Sequence, residues 1–407
     1  MANVFECIRI HESAGAWAEE LYRALSAQEE SINARIYTRP PVRLKRCYIS
    51  VLPDEILARI FLEVAAESSR HILSTAKTNK HFHDIAIPLL YNRLELLPGR
   101  SREDMQSLGL SFRRWPERRG YASEAKLRGS PDNFRCLGQF PVLFSRDAFP
   151  NIKRLHGVRV TVSSLQNLLA TDDVPSTGTS TIEELIFEES EIRILPAGID
   201  ALMSACRVVK KLVLHWGRGA AESSSDGEFL QEAMGSAIAR HAATLETLEF
   251  KPNESQISTT KGIEPGSLKD QLSSFLKLKD LTIHLSCFYG GGQLLSTMNG
   301  GPTDQKGLAD LLPPCLERLA LVGDPESSTS IPSASGTLKH TSLRLEITAL
   351  LHHCGPNCQF SSLKVIQLPE WVNDSAQGRD AETLPQLKKL ASNTNIFVIF
   401  KGKSRCN

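Results

Sequence analysis

The stretch Leu52–Phe61, with the sequence LPDEILARIF, begins a helix whose apolar stripe is wider than one small core can use. Pro53 suits the first turn of a helix, where its missing N–H costs nothing. Asp54 and Glu55 place negative charge at the positive end of the helix dipole. At ~100° per residue, the apolar side chains cover roughly half of the helix circumference. They are Ile56, Leu57, Ile60, Phe61, Val64 and Ala65. A stripe this wide predicts two packing partners, the rest of its own module and a second surface.

The residues that follow complete a small helical module. Residues 72–76 continue a helical period, and residues 82–86 make another short helix, which Pro88 is expected to close. Leu94 and Leu96 then alternate like the start of a strand. A module of about fifty residues buries only roughly 60% of its unfolded surface, so it is marginal alone and plausible as half of an interface.

Four segments of this module carry a family resemblance. They are the opening Leu52–Ile56, the pair Ile60–Phe61, the segment Thr78–Phe82 and the ending Ile87–Leu94. Together they make residues 48–97 resemble an F-box, in particular that of filamentous fungal proteins. An F-box docks on the Skp-type adaptor of cullin–RING ubiquitin ligases, and the rest of such a chain captures the substrate. The residues that the resemblance assigns to adaptor binding are Leu52, Pro53, Ile56, Leu57, Ile60, Phe61 and Phe82. The alternative is an ordinary three-helix core segment.

Length and composition set the class of protein. At 407 residues the chain exceeds the size of a single core, so more than one domain is expected. A hydrophobic content of 41% and a charged content of 23% are typical of a soluble globular protein. A net charge of +1 argues against a protein built to neutralise nucleic-acid phosphates. We expect no membrane span, because no run of about eighteen apolar residues occurs.

The compartment is inferred from the cysteines and the N-terminal segment. Nine scattered cysteines, an odd number, suit reduced thiols in the cytoplasm or the nucleus. The first residues include Glu6, Arg9 and Glu12 and lack the apolar core of a signal peptide. A cytoplasmic or nuclear protein is therefore expected.

Beyond the F-box-like module, a short apolar pattern repeats. Its form is apolar, two residues, apolar, one residue, apolar, and the last two positions have strand period. The copies are Ile182-Leu185-Phe187, Val209-Leu212-Leu214, Leu245-Leu248-Phe250, Leu278-Leu281-Ile283, Leu316-Leu319-Leu321 and Leu363-Ile366-Leu368. A weaker first copy, Ile152-Leu155-Val158, has a last step that is one residue too long.

Helical segments separate these strands, which predicts an α/β fold with parallel strands and helices on the outer face. The expected helices are 163–169, 198–206, 229–241, 268–276, 308–312, 343–353 and 385–391. The pattern resembles an irregular leucine-rich-repeat solenoid, in which neighbouring units stack to bury their apolar faces. The alternative is an ordinary α/β domain with a parallel sheet. The run Ile396–Phe400 is apolar on both faces, so we expect it to be buried on both sides and to end the sheet.

The resulting domain organisation has four parts. Residues 1–47 hold an amphipathic helix, 15–36, and a basic linker, 39–46, for which a nuclear address is the alternative. Residues 48–97 are the F-box-like module. Residues 98–150 form a connecting segment or a degenerate first repeat, and residues 151–407 form the repeat domain. The connecting segment includes a basic patch, 113–119, interpreted as a surface loop rather than a nucleic-acid site.

The sequence contains no complete catalytic or metal-binding pattern, which favours a protein without an active site. Gly402-Lys403-Ser404 lacks the glycine that a phosphate-binding loop needs five residues earlier. The cluster from His352 to Cys358 contains potential zinc ligands, but its residues also suit the end of a helix, stopped by Gly355-Pro356. We expect neither a cofactor nor a metal.

The expected function is that of a substrate receptor in an SCF-type ubiquitin ligase, as the resemblance implies. The partners would be the Skp-type adaptor, the cullin and a target protein marked for ubiquitin-dependent degradation. Target contacts would come from outward-facing strand positions, namely Glu184, Glu188, Lys211, His215, Glu249, Lys251 and His284. The alternatives are an F-box scaffold that does not promote degradation and, more distantly, an α/β enzyme such as a hydrolase.

Overall fold

The structure is a computed structural model of the 407-residue chain. It describes residues 49, 52–67, 69–96, 116–129, 135–136, 141–144, 149–161, 178–190, 196–216, 235–251, 267–285, 307–323, 336–372 and 383–401. The predicted N-terminal helix, the basic linker and the helix predicted at 163–169 lie outside these residues.

The chain divides into two compact units. The first comprises Met1–Leu94 and Gly99–Glu124, and the second comprises Glu95–Pro98 and Ala125–Asn407. Among the described residues of the region predicted to connect F-box and repeats are a 3-10 helix, Pro116–Tyr121, and a strand, Glu124–Arg128.

The described part of the first unit contains three α-helices: α1 (Asp54–Glu67), α2 (Ser69–Ala76) and α3 (Lys80–Asn92). Helix α1 begins where the sequence predicts, with both acidic residues in its first turn. At the start of α3 the side chain of Asn79 accepts a hydrogen bond from the backbone N–H of Phe82 at 2.8 Å. This cap satisfies one of the donors that every helix N-terminus leaves unpaired.

Pro88 does not close the third helix, so the sequence prediction was wrong at this position. Helix α3 continues through Pro88 to Asn92. A proline inside a helix removes one hydrogen bond, the one to the carbonyl four residues earlier. That carbonyl belongs to Asp84, an exposed residue, so water can solvate it.

In the described residues, ten strands form one sheet, in the order β1-β2-β4-β6-β7-β8-β9-β10-β11-β12, and β3 and β5 form a second, two-stranded sheet. The strands are β1 (Arg93–Leu96), β2 (Glu124–Arg128), β3 (Arg135–Cys136), β4 (Arg154–Val158), β5 (Val160–Thr161), β6 (Glu184–Ser190), β7 (Lys211–Trp216), β8 (Thr247–Lys251), β9 (Asp280–His284), β10 (Arg318–Val322), β11 (Val365–Pro369) and β12 (Phe397–Lys401). All pairings whose register the structure describes are parallel. The predicted α/β class with a parallel sheet is confirmed.

The large sheet is buried on one face only over most of its length. All three apolar positions of the six complete copies of the repeat are buried. The alternate strand positions are mostly half-buried, for example in β8 and β4. We call the face that these alternate positions share the open face.

Helices separate the strands, as the sequence predicts. They are α4 (Pro196–Ala205), α5 (Ser267–Leu272), α6 (Leu308–Leu311), α7 (Gly336–His352) and α8 (Thr383–Asn393), with a further helical stretch at 235–239. Crossovers between parallel strands have a fixed hand, so consecutive helices lie on the same side of the sheet. The open face stays accessible, so the helices lie against the opposite face of the sheet, which is buried.

The first repeat is regular, which corrects the prediction of a step one residue too long. Gly157, and not Val158, occupies the inward position of β4. A Cβ atom on Gly157 would lie 2.7 Å from Cγ2 of Val160 and 2.8 Å from Cδ1 of Phe187. The aromatic ring of the neighbouring strand therefore fills the space that a side chain would take.

A row of alternating charge precedes the strands. The residues just before β4, β6, β7, β8, β9, β10 and β11 are Lys153, Glu183, Lys210, Glu246, Lys279, Glu317 and Lys364. We call this row the charge ladder. The carbonyl of each member but the last accepts backbone hydrogen bonds from the next member and the residue after it, as when Glu183 N–H donates to the Lys153 carbonyl at 2.8 Å.

Side-chain contacts reinforce the charge ladder. The Glu183 carboxylate lies between the ammonium groups of Lys153, at 2.8 Å, and Lys210, at 2.6 Å. Glu317 meets Lys364 at 2.9 Å. The two lysines lower the pKa of Glu183 through hydrogen bonds and charge.

Candidate functional site

Helix α1 in the first unit presents the first candidate surface, and its apolar stripe has two parts. Leu57 and Phe61 are buried in a core with residues of α2 and α3. The Phe61 ring meets the Phe82 ring edge-on, with centroids 5.3 Å apart. This inner part of the stripe holds the three helices together.

The outer part of the stripe is accessible. Ile56 is 42% exposed and Ile60 is 37% exposed. These residues are four apart and therefore lie one turn from each other on the same side of α1. Pro53 is exposed and Leu52 is half-buried at the start of the helix. The four residues make a short apolar strip, which we call the α1 strip.

The residues predicted to bind the adaptor thus fall into two groups. Leu57, Phe61 and Phe82 belong to the core. Pro53, Ile56 and Ile60 of the α1 strip are exposed, and Leu52 of the strip is half-buried and also packs against the core. The sequence predicts the double use of the stripe, but it does not show which half faces inward. That choice depends on where α2 and α3 pack.

A charged contact lies at the N-terminal end of the same helix. His81 Nε2 on α3 is 3.3 Å from a carboxylate oxygen of Asp54. Both side chains are largely exposed, so this pair contributes little to stability.

The open face of the large sheet is the second candidate surface, and neighbouring strands pair its charges. Arg154 Nε lies 2.7 Å from Glu184 Oε2, which joins β4 to β6. The same two strands are joined by His156 and Glu188, whose side chains are 2.9 Å apart.

Farther along the sheet, Glu249 of β8 is the centre of a second group. His215 Nε2 of β7 lies 3.0 Å from its carboxylate, and Lys251 contacts the same oxygen. His215, followed by Lys251, lowers the pKa of Glu249 to about 2, against the opposing effect of burial. Glu249 therefore stays ionised at neutral pH and compensates its neighbours.

The predicted target-binding residues lie on the open face, but most of their charge is already balanced. Glu184, Glu188, His215, Glu249 and Lys251 take part in the pairs above. Lys211 is half-buried on β7. His284 is buried, with its ring so close to Gly323 that a Cβ there would lie 2.5 Å from Nε2.

The last strand carries a surface that the sequence reasoning missed. The run Ile396–Phe400 was expected to be buried on both sides, but Phe397 is 71% exposed and Ile399 is 49% exposed. The prediction that the run ends the sheet is confirmed, since β12 is the last strand in the order. Its position explains the error, because β12 has a neighbouring strand on one side only among the described residues.

The histidine- and cysteine-rich segment ends a helix. His352 is the last residue of α7, Cys354 is buried and Cys358 is exposed. Burial, with Cys358 nearby, raises the pKa of the Cys354 thiol to about 12. Within the described ranges, no group of three or more His, Cys, Asp or Glu side chains is placed to hold a metal ion.

Of the basic patch at 113–119, residues 116–119 lie in the 3-10 helix Pro116–Tyr121, and residues 113–115 lie outside the described part. The helices that the structure describes include none long and apolar enough to cross a membrane.

Comparisons with known proteins give no family for the chain. No protein-family model matches its sequence, and no curated protein matches it significantly. The functional argument therefore depends on the residues and their geometry.

Proposed function

We propose that this chain is a substrate-receptor subunit of an SCF-type cullin–RING ubiquitin ligase. The three helices of the first unit would act as an F-box and bind the Skp-type adaptor. The second unit would bind a target protein. The cytoplasm or the nucleus is the proposed compartment.

The observation that carries the proposal is the division of the α1 stripe. A marginal three-helix unit uses Leu57 and Phe61 for its own core, yet it keeps Ile56 and Ile60 at the surface. Burying a large aliphatic side chain stabilises a complex by ~1.5–3 kcal/mol. An adjacent pair such as Ile56 and Ile60 therefore suits the centre of an interface with an apolar partner surface.

The large sheet supports the second part of the proposal. A doubly wound α/β domain covers both faces of its sheet, and its strands are apolar throughout. Here the strands follow one another in chain order and bury one face. These features favour an irregular leucine-rich-repeat-like solenoid, whose open face and ends are available to a target.

The mechanism of such a subunit is proximity. It holds the target beside the enzyme that transfers ubiquitin, which makes the transfer effectively intramolecular. This role requires no catalytic residue in the chain itself.

The test is co-purification of the full chain with the Skp-type adaptor, comparing Ile56→Asp with the matched control Leu62→Asp. Leu62 lies on the same helix and is 49% exposed. At ~100° per residue it lies roughly 120° around the helix from Ile56, outside the α1 strip. We expect wild type and Leu62→Asp to capture the adaptor. Ile56→Asp should fail, because an unpaired carboxylate would be buried in the contact.

Circular dichroism establishes that both variants fold. The proposal is refuted if the wild-type chain captures no adaptor, or if both variants bind equally well. Turnover of bound proteins then distinguishes a ligase from a scaffold. Deletion of residues 48–97 should stabilise the target of a ligase and leave the turnover of a scaffold's partner unchanged.

A further inference from the structure

The outer edge of β12 has backbone groups available for another strand. The Phe397 N–H donates to the Lys364 carbonyl at 2.9 Å, so this amide points toward the neighbouring strand. Amides alternate in direction along a strand, which turns those of Val398 and Phe400 to the outer edge. No strand in the described part of the chain pairs with that edge.

The side chains next to this edge differ from those on the rest of the open face. From β4 to β8 the open face consists largely of charged groups that balance one another. At β12 it presents Phe397 and Ile399, which are 71% and 49% exposed. The half-buried Val365 lies beside Phe397 in the register of β11 and β12.

Among the described residues, two lysines lie on or against β12. Lys401 ends the strand and is exposed. On the helix side of the strand, Lys388 Nζ lies 5.5 Å from the centre of the Phe400 ring. These lysines disfavour pairing with a second copy of the same edge, because like charges would meet. They favour a partner with acidic side chains.

We propose that the β12 edge binds an extended segment of a partner protein, which adds to the sheet as a further strand. Side chains of such a segment alternate between the two faces of the sheet. Apolar residues of the segment would lie against Phe397 and Ile399 on the open face. Acidic residues would lie toward Lys388 on the helix side.

This inference depends on the proposed function only for the role of the captured segment, which would belong to the ligase target. Strand addition explains why the exposed apolar residues lie at the end of the sheet. The β12 edge offers backbone hydrogen bonds and apolar side chains together, so it can gain both kinds of contact at once.

The probe is a fluorescein-labelled decapeptide of alternating valine and glutamate, titrated with the full chain and followed by fluorescence anisotropy. Two control peptides keep part of its chemistry. One alternates valine and lysine, and the other has five valines followed by five glutamates. We expect saturable binding of the alternating acidic peptide and at least about tenfold weaker binding of both controls, which corresponds to ~1.4 kcal/mol.

Variants of β12 test the geometry. Proline is tolerated on an edge strand where its N–H would face solvent, so Val398→Pro should fold, yet it removes an outward donor. We expect Val398→Pro and Phe397→Glu each to weaken peptide binding about tenfold or more, whereas Val398→Ala should retain it. Circular dichroism and thermal melting show that the variants keep their fold.

Each contrary result has a defined meaning. No saturable binding, equal binding of the block peptide, or equal binding by Val398→Pro overturns the inference. Sedimentation that shows a wild-type dimer, lost in Val398→Pro, also overturns it, because a second copy would then occupy the edge. Adaptor capture is measured separately on the same variants and should be unchanged. Loss of peptide binding and loss of the ligase role are therefore distinguishable.

Discussion

Replacing Gly157 by alanine tests how tightly the first repeat packs. The added Cβ would lie 2.7 Å from Val160 Cγ2 and 2.8 Å from Phe187 Cδ1, and both neighbours are fully buried. Carbon atoms in contact prefer about 3.5–4.0 Å, so the neighbours have to shift within a close-packed interior. Overpacking of this kind costs ~1–3 kcal/mol. The lower chain entropy of the unfolded alanine variant returns ~0.4–1 kcal/mol. The midpoints of these two ranges give an expected net loss of about 1.3 kcal/mol in the free energy of unfolding.

A double-mutant cycle assigns that loss to its cause. Phe187→Val alone should destabilise the second unit by opening a cavity beside Gly157. With Phe187→Val in place, Gly157→Ala should cost about 1 kcal/mol less than it does in the wild-type background. Urea unfolding gives the free energies. Hydrogen exchange of the amides in β4 and β6 shows whether the effect is located in this part of the chain. Unchanged stability in Gly157→Ala, or simple additivity in the double variant, would refute the packing argument.

Three further predictions concern charge and helix capping. The folded-state pKa of Glu249 is lowered from 4.5 to about 2, so this residue stabilises the fold above pH 4.5 and loses the effect as the pH falls toward 2. In Glu249→Gln the free energy of unfolding should therefore depend less on pH between these values. An unchanged pH dependence in this range would contradict the prediction. Asn79→Ala removes the cap of α3, so the first unit should lose ~0.5–2 kcal/mol in thermal or chemical unfolding, whereas Asn79→Ser should retain most of the stability. Glu183→Lys places three lysines beside one another in the charge ladder, so the melting temperature should fall at low salt. It should recover toward the wild-type value at ~1 M NaCl, where the Debye length is about 3 Å. A loss of melting temperature that is independent of salt would contradict the electrostatic explanation.

Much of the second unit could be predicted from the sequence, because its signal is local. Each copy of the repeat places apolar residues at strand period, and every such residue in the six complete copies is buried. The first copy was misjudged for a physical reason. A search for apolar residues passes over Gly157, whose place in the core is filled by Phe187 from the next repeat.

The candidate surfaces were harder to predict, because they depend on contacts between distant residues. Helical period identifies the whole stripe of α1, but only the packing of α2 and α3 separates Leu57 from Ile56. Strand period identifies Glu184 and Glu249 as outward-facing. Their pairing with Arg154 and His215 depends on the register between strands about thirty residues apart in the chain.

One long-range feature, the order of neighbouring strands, can nevertheless be recognised in the sequence from the charge ladder. The residue after the first apolar position of each repeat is lysine or glutamate in strict alternation over seven repeats, from Lys153 to Lys364. Alternation of this kind is favourable only if consecutive repeats are neighbours, since like charges directly opposite each other destabilise a sheet. A sheet that skipped one strand would bring Glu183 beside Glu246 and Lys210 beside Lys279. The observed order avoids both, and each ladder residue that the structure pairs has an opposite charge beside it. The charge ladder is therefore a second reason, besides apolar burial, why the strands follow chain order instead of an order that skips one strand.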